Sequence, residues 1–170
     1  MARYLGPVIE IVRGDITTLD VHAIVNAANS ALAGGGGVDG AIHRAAGREL
    51  VLASRALAPC PPGDAVITPG FALRARYVIH AVGPIWSGGG QGEPALLRSA
   101  YDRSFALALA QGHVESIAFP AISTGVYGFP KRHAAEIAMD AMRRHEPRFT
   151  RIVACAFDAE TEALYRKALG

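Results

Sequence analysis

The chain has 170 residues and 51% of them are apolar, enough for one domain with a sizeable core and too many for a disordered chain. Its 17 basic and 15 acidic side chains leave a net charge of +2, which argues against nucleic acid or acidic membranes as partners. The two cysteines, Cys60 and Cys155, match no metal-binding or redox spacing and are expected to be reduced and buried. No stretch approaches the roughly 20 apolar residues of a membrane span, and the N-terminus has no long apolar region. We therefore expect a cytoplasmic protein without a signal peptide.

Short apolar runs, each stopped by glycine, proline or a polar residue, predict the strands in chain order. They cover residues 8–13, 23–26, 65–68, 77–82, 116–120 and 152–157. Helical patterns stand between them: after Asp39 and again through 49–56, over 97–108, after Pro130, and after Asp158 as an N-cap. The glycine-rich stretch 87–92 predicts a flexible surface loop. The alternation predicts an α/β fold with a largely parallel sheet covered on both faces, in a single domain over residues 1–170.

The most unusual stretch follows the second predicted strand. It reads Asn26-Ala27-Ala28-Asn29, a short spacer, and four consecutive glycines, 34–37, ahead of a helix. Adjacent glycines destabilise a folded backbone, so they indicate a place where the backbone comes very close to a ligand. Ahead of a helix N-terminus their N–H groups can face an anion, most simply a phosphate. A second glycine-bearing loop follows Pro120, and because both loops lie at the carboxyl edge of the predicted sheet, we expect one shared site.

Several familiar sites are absent or incomplete in the sequence. Gly35, Gly37 and Gly40 fit the spacing of a dinucleotide-binding loop, but the next predicted strand does not end in the acidic residue that such a site needs. The sequence has neither a Walker-type phosphate loop nor a histidine cluster that indicates a metal. The segment around Ser123 half resembles a nucleophile elbow, yet it lacks the leading glycine and the Asp and His partners of a serine hydrolase.

Taken together, these segments resemble the macrodomains, and among them the MacroD-type hydrolases. The resemblance runs from about residue 11 to residue 165. It implies a three-layer α/β/α fold with a mixed, mostly parallel six-stranded sheet. It also implies binding of ADP-ribose and removal of mono-ADP-ribose from acidic side chains or of acetyl from O-acetyl-ADP-ribose, without a metal or cofactor. The matching motifs are Gly14-Asp15-Ile16-Thr17, Asn26-Ala27-Ala28-Asn29, residues 34–47, His80-Ala81-Val82-Gly83-Pro84 and residues 122–130.

The resemblance places adenine at Asp15, Ile16 and Phe157. An ionised Asp15 only accepts hydrogen bonds and so suits the exocyclic amine of adenine, although an aspartate here is also a common turn former. Ile16 offers a backbone N–H, and Phe157 is either an adenine contact or a core residue. Backbone amides of two loops are expected to hold the diphosphate, their partial charges replacing an arginine cluster. The other ligand-binding positions are Asn26, Ala27, Gly36, Gly37, Val38, Ser123, Thr124, Gly125, Val126 and Tyr127.

Asp39 and Asn29 are the predicted catalytic residues, because the family places both at this spacing. An ionised Asp39 beside a bound phosphate can orient the attacking water, with a substrate phosphate oxygen sharing the proton. The alternative for Asp39 is an ordinary helix N-cap, worth about 1 kcal/mol. Asn29 offers a donor and an acceptor to a ribose hydroxyl, and its alternative is a turn residue. His43 is expected to be a helix-packing residue.

Two other classes of function stay open. One is an ADP-ribose reader that binds without turnover, and the combination of Asn29 with Asp39 argues against it. The other is an RNA-associated regulatory protein, against which the balanced charge and the lack of a basic, aromatic-studded stripe argue. The expected partners are ADP-ribose or its derivatives and mono-ADP-ribosylated proteins, and the expected state is a monomer.

Overall fold

The computed structural model describes residues 7–170. The expectation of no signal peptide rests on the N-terminus, where residues 1–6 lie outside this range. In the described part of the chain, no helix is both long enough and apolar enough to cross a bilayer. Cys60 and Cys155 are free thiols and both are buried, as expected.

Within residues 7–170 one sheet contains the strands β1 Ile9–Arg13, β2 Ala23–Ala28, β3 Ala65–Pro69, β4 Tyr77–Val82, β5 Ser116–Phe119 and β6 Arg151–Ala156. Their order across the sheet is β1-β6-β5-β2-β4-β3. All neighbouring pairs are parallel except β3 with β4, which is antiparallel and stands at one edge. This confirms the predicted mixed, mostly parallel sheet. The predicted strand ends differ from the observed ones by at most two residues.

In the same range the helices are α1 Gly37–Ala46, α2 Arg48–Arg55, α3 Glu93–Ala110, α4 Lys131–His145 and α5 Ala159–Leu169. Successive strand residues point to opposite faces. Ile24 of β2 therefore packs with Ile42 of α1 and Leu50 of α2. Val25, its neighbour, belongs to the larger core that α3, α4 and α5 cover, which includes the apolar stripe predicted over 97–108. The predicted three-layer α/β/α fold is thus confirmed.

The first helical segment begins and ends at glycines. Gly36 is the N-cap of α1, so Asp39 is the third residue of the helix, and the N-cap alternative for Asp39 is wrong. Gly47 has a φ of +91° and its N–H donates to the carbonyl of His43, which ends α1 and lets α2 start at the next residue. At the other end of the chain, Asp158 caps α5 as predicted and accepts a hydrogen bond from the Thr161 N–H.

Strands β2 and β5 form a switch point in the sheet. They are adjacent and parallel, so their carboxyl ends meet at the same edge. The chain leaves β2 for α1 on one face, and leaves β5 for α4 on the other face. Such a divergence opens a crevice between the two following loops, which is where open α/β sheets bind ligands. The fold therefore brings the two glycine-bearing loops to one place.

Candidate functional site

Asp39 lies at the bottom of this crevice and is held from two sides. Its side chain is almost buried, at 6% exposure. The amide nitrogen of Asn26 donates to Asp39 Oδ1 at 2.8 Å, and His43 Nε2, one turn along α1, lies 3.2 Å from the same oxygen. Both contacts use Oδ1, so the other carboxylate oxygen, Oδ2, remains available to a water or a ligand. His43, expected only to pack, thus contacts the predicted catalytic carboxylate.

The Oδ2 atom of Asp39 and the side chain of Asn29 border the same glycine. A Cβ built on Gly35 would lie 3.1 Å from Asp39 Oδ2 and 3.7 Å from Asn29 Nδ2. Asn29 Nδ2 donates to the carbonyl of Gly34 at 3.1 Å, which fixes the orientation of its amide. Asn29 Oδ1 is buried and has no donor among the described residues 7–170. The predicted catalytic pair is therefore brought together, with one acceptor left unused.

A buried polar chain continues from Asp39 into the sheet. Asn26 is fully buried and its Nδ2 also lies 3.3 Å from Nδ1 of His80 on β4. On the far side of the ring, His80 Nε2 lies 3.0 Å from the hydroxyl of Thr68 on β3. Burial and then the nearby His43 lower the pKa of His80 to about 3. Asn26 thus contacts Asp39 and His80 through Nδ2, while its Oδ1 is buried without a partner among residues 7–170. Its contact with a ligand stays a prediction.

The second loop, residues 120–130, is held by hydrogen bonds at both ends and is exposed at its tip. Ser123 adopts a left-handed φ of +68°, and its hydroxyl donates to the carbonyl of Pro84 at 2.8 Å. The N–H of Gly128 donates to Gly125 and that of Phe129 to Ser123. The N–H groups of residues 125–127 donate in neither of these two bonds. Val126 at the tip is fully exposed. The Ser123 hydroxyl serves the loop and is not placed as a nucleophile.

Gly83, directly after β4, packs against this loop at a position where only glycine fits. A Cβ on Gly83 would overlap the Ser123 hydroxyl and lie 2.6 Å from Ile122 Cγ2. Beyond it, the N–H of Trp86 donates to the carbonyl of Tyr127 at 2.8 Å. The segment after β4 therefore contacts the loop at two places, through Gly83 and through the N–H of Trp86. Tyr127 is partly buried at this contact.

The stretch 87–92 is better anchored than its glycine content predicts. Glu93, the first residue of α3, is 1% exposed. Its carboxylate accepts hydrogen bonds from the N–H groups of Ser87, Gly89 and Gln91 at 2.8, 2.9 and 2.6 Å. Burial alone would raise the pKa of Glu93, but these donors outweigh it and lower the pKa to about 2. The expectation of a flexible loop is corrected: an ionised carboxylate fastens the turn to α3.

The predicted adenine end lies at the carboxyl ends of β1 and β6. Phe157, directly after β6, is 90% exposed, so the core interpretation of this residue is wrong. Asp15 is exposed, and its Oδ1 accepts from the N–H and the hydroxyl of Thr17, as a turn former does. Ile16 is 2% exposed. The N–H of Gly14 donates to Ala156, which joins the two strand ends.

Most of the remaining predicted positions lie in the two loops or at the start of α1, whereas Ala27 lies in β2 and packs against the larger core. Gly36 and Gly37 are exposed, Val38 and Ala27 are half-buried, and Thr124 and Gly125 stand in the second loop. His80, Thr68 and Glu93 received no role from the sequence, since their contacts depend on strand register and on loop geometry. Among residues 7–170 there is no group of three or more His, Cys, Asp or Glu side chains that could hold a metal ion.

The sequence of this chain matches a known protein family. The family model described as the macro domain matches residues 25–138. The chain belongs to the macro domain family. A macro domain-containing protein of Ralstonia nicotianae is 62% identical over 157 residues, with 92% of this chain and 91% of that protein covered. A protein of Citrobacter rodentium named O-acetyl-ADP-ribose deacetylase is 55% identical over 170 residues, with coverages of 95% and 94%.

A solved macrodomain structure matches the fold as well. It is the Trypanosoma brucei macrodomain in complex with ADP-ribose, which superposes with a TM-score of 0.87 at 39% identity. The match covers 96% of this chain and 69% of that one.

Proposed function

We propose that this macro domain binds ADP-ribose in the crevice between β2 and β5 and hydrolyses an ester on the distal ribose. The substrates are O-acetyl-ADP-ribose and proteins mono-ADP-ribosylated on acidic side chains, the chemistry of MacroD-type enzymes. The similarity to a protein named O-acetyl-ADP-ribose deacetylase and to a macrodomain solved with ADP-ribose supports this proposal. So does the geometry of the catalytic pair.

The observation that carries the proposal is the unused oxygen of Asn29. Asn29 Oδ1 is buried without a donor among residues 7–170, and a buried acceptor left unpaired costs on the order of 1–3 kcal/mol. In the proposed complex a ribose hydroxyl donates to Asn29 Oδ1, close to Asp39, because the Asn29 amide and Asp39 Oδ2 both border Gly35. Asn29 would then hold the sugar while Asp39 acts on the group attached to it.

Asp39 is suited to orienting a water because its two carboxylate oxygens have different contacts. Oδ1 is occupied by Asn26 and lies against His43, which fixes the carboxylate plane, and Oδ2 accepts from the water. For an acetyl ester, the water oxygen bonds to the carbonyl carbon and the bond from that carbon to the ribose oxygen breaks. One water proton passes through Asp39 or a substrate phosphate oxygen to the ribose oxygen. The products are acetate and ADP-ribose.

Residues of the two loops and of the adenine end supply the other proposed contacts with ADP-ribose. The exposed Gly36 and Gly37 are the N-cap and the first residue of α1, where partial positive charge favours an anion. The 124–127 amides face the diphosphate from the other side of the crevice. Phe157, exposed at the end of β6, offers its ring to adenine. Asp15 keeps one carboxylate oxygen, Oδ2, outside its bonds to Thr17, and that oxygen accepts from the adenine amine.

The substitution Asp39→Ala separates catalysis from binding. We expect kcat on O-acetyl-ADP-ribose to fall by about a hundredfold or more, because the water loses its acceptor. The dissociation constant of ADP-ribose should change by less than about threefold, since the loops and Asn29 still hold the ligand. The measurements are acetate and ADP-ribose release over time, and calorimetric titration with ADP-ribose. Asp140→Ala, an exposed aspartate on α4, is the matched control and should leave both values unchanged.

The same measurements decide between an enzyme and a reader. Wild-type protein that binds ADP-ribose but releases no product from either ester is a reader module. Turnover by Asp39→Ala at the wild-type rate would refute the role of the carboxylate.

A further inference from the structure

We propose that His80 is a positioning residue for this reaction: it orients the Asn26 amide that in turn fixes the carboxylate of Asp39. This inference rests on the proposed hydrolysis, because it assigns a role in the same reaction. The proposed chain runs Thr68, His80, Asn26, Asp39, and crosses from the edge strand β3 to α1. Each of these three contacts joins residues at least 12 apart in sequence.

The strand register places the members of this chain side by side. Asn26 pairs with His80 across β2 and β4, so both side chains point to the same face of the sheet. It is the face of Ile24 and Val78, which α1 and α2 cover. Thr68 pairs with Val78 across β3 and β4 and therefore points there too. Three neighbouring strands thus present one polar side chain each, beneath the helix that carries Asp39.

Hydrogen-bond chemistry fixes the direction of every bond in the chain. A carboxylate only accepts, so the atom of Asn26 facing Asp39 Oδ1 at 2.8 Å is the NH₂ group. Its second hydrogen is directed at His80 Nδ1, 3.3 Å away. His80 Nδ1 must therefore accept, and the ring proton belongs on Nε2, which donates to the Thr68 hydroxyl at 3.0 Å. His80 is neutral and held in a single tautomer.

Burial makes this assignment stable over a wide pH range. His80 is 1% exposed, and the pKa of its ring is lowered to about 3 by burial and then by His43, whose ring centroid is 6.2 Å away. The titratable groups around His80 are His43 and, beyond the Asn26 amide, Asp39. Protonation of Nδ1 would set one donor against another, and the Asn26 amide would have to rotate. The neutral ring avoids this conflict.

Without His80, the Asn26 side chain would be held less firmly beneath Asp39. Its amide would lose one of two acceptors, and its rotation would no longer be fixed by the sheet. Asp39 Oδ1 would then keep only His43. His80 and Asn26 are buried beneath Asp39. Their loss should therefore affect the placement of the water more than the affinity for the ligand. A small displacement of a catalytic group lowers the rate while binding survives.

The experiment compares three variants and one control variant with the wild type. His80→Leu removes the acceptor, and we expect kcat to fall by about tenfold or more with the dissociation constant of ADP-ribose changed less than about threefold. His80→Gln offers an oxygen to Asn26 and should recover most of the lost kcat. Thr68→Val removes only the acceptor of the Nε2 proton and should give an intermediate loss. His113→Leu, an exposed histidine, is the control for the change of residue type.

A second readout does not depend on turnover. In ¹⁵N spectra of histidine-labelled protein, His80 should show a protonated Nε2 and an unprotonated Nδ1 at neutral pH. The side-chain NH₂ signals of Asn26 should shift in His80→Leu. A protonated Nδ1, unshifted Asn26 signals, or wild-type kcat in His80→Leu would each overturn the assignment. If His80→Leu does not fold, His80→Gln and Thr68→Val carry the same comparison. A wild-type protein without turnover would refute the proposed hydrolysis alone, because the spectra still decide the tautomer.

Discussion

At the scale of single residues, the glycines in and beside the first loop are needed for different physical reasons. A Cβ on Gly40 would lie 2.5 Å from the carbonyl oxygen of Gly35, so only glycine lets α1 approach the loop so closely. Gly35 itself lies against Asp39 Oδ2 and Asn29, where a side chain would occupy the space that the proposed complex gives to the ribose. Gly36 has open space around its missing Cβ, which suits an approach by a phosphate. Each glycine thus serves a different contact.

The first prediction concerns Gly35→Ala. The added methyl group would lie 3.1 Å from Asp39 Oδ2, tighter than ordinary van der Waals contact, and would push the carboxylate or block the sugar. We expect kcat/KM to fall by about tenfold, the effect of a displaced catalytic group. Steady-state kinetics measure it. Gly90→Ala is the control, because its Cβ would meet nothing within 4 Å, and equal losses in both variants would contradict the steric explanation.

The sequence predicted some of these residues and not others, for a physical reason. Asp39 and Asn29 stand in contiguous motifs, where type and spacing already indicate a site. His80 and Thr68 meet Asn26 only through the register of three strands, which spacing along the chain does not encode. His43 looked like a packing residue because its position on α1 permits that as well. Phe157 was ambiguous between core and ligand, since the end of a strand can face either way.

At the scale of elements, α3 holds the turn before it through its first residue. Three backbone N–H groups converge on the Glu93 carboxylate, and the next residue toward β4, Trp86, donates to Tyr127 in the second loop. The Trp86 ring also packs edge-on against Phe129, with centroids 4.8 Å apart. The anchored turn therefore supports the wall of the crevice. Composition alone predicted flexibility because it reveals glycines and not the acceptor that gathers their N–H groups.

The second prediction is an acid dependence of stability carried by Glu93. Its pKa is lowered from 4.5 to about 2 in the folded protein, so the ionised form stabilises the fold above about pH 4.5. This contribution should disappear as the pH falls toward 2. Denaturant unfolding of the wild type and Glu93→Gln should give a constant difference in free energy at pH 5 to 7 and a shrinking one below it. A difference that stays constant down to the lowest measurable pH would contradict the prediction.

At the scale of the whole molecule, the order of the sheet creates the site. Periodicity and breakers predicted the strands, their largely parallel pairing and the two covered faces, because those follow from local patterns. The order β1-β6-β5-β2-β4-β3 depends on non-local pairing, which local patterns do not determine. It is this order that sets β2 beside β5 and sends their connections to opposite faces. The crevice between the glycine loops is a property of topology.

The third prediction concerns the stability of the whole fold toward acid. The pKa of His80 is lowered from 6.5 to about 3 by burial and then by His43. Between these values the unfolded chain binds a proton that the folded chain does not, so stability falls as the pH falls, by at most about 1.4 kcal/mol per unit. Unfolding free energies at pH 7, 6 and 5 should decline more steeply in the wild type than in His80→Gln. Parallel curves would show that His80 does not titrate differently in the two states.

The central claim, that backbone amides of two loops grip a diphosphate and present its ribose to Asp39, can be tested by titrating the ¹⁵N-labelled protein with ADP-ribose. Backbone N–H signals of residues 36–38 and 124–127 should shift together and saturate at one dissociation constant, with the Asn29 side-chain signals moving alongside them. ADP should shift the loop amides in the same way and leave Asn29 less affected, because it lacks the distal ribose. Saturable binding that leaves either loop unperturbed would contradict the account.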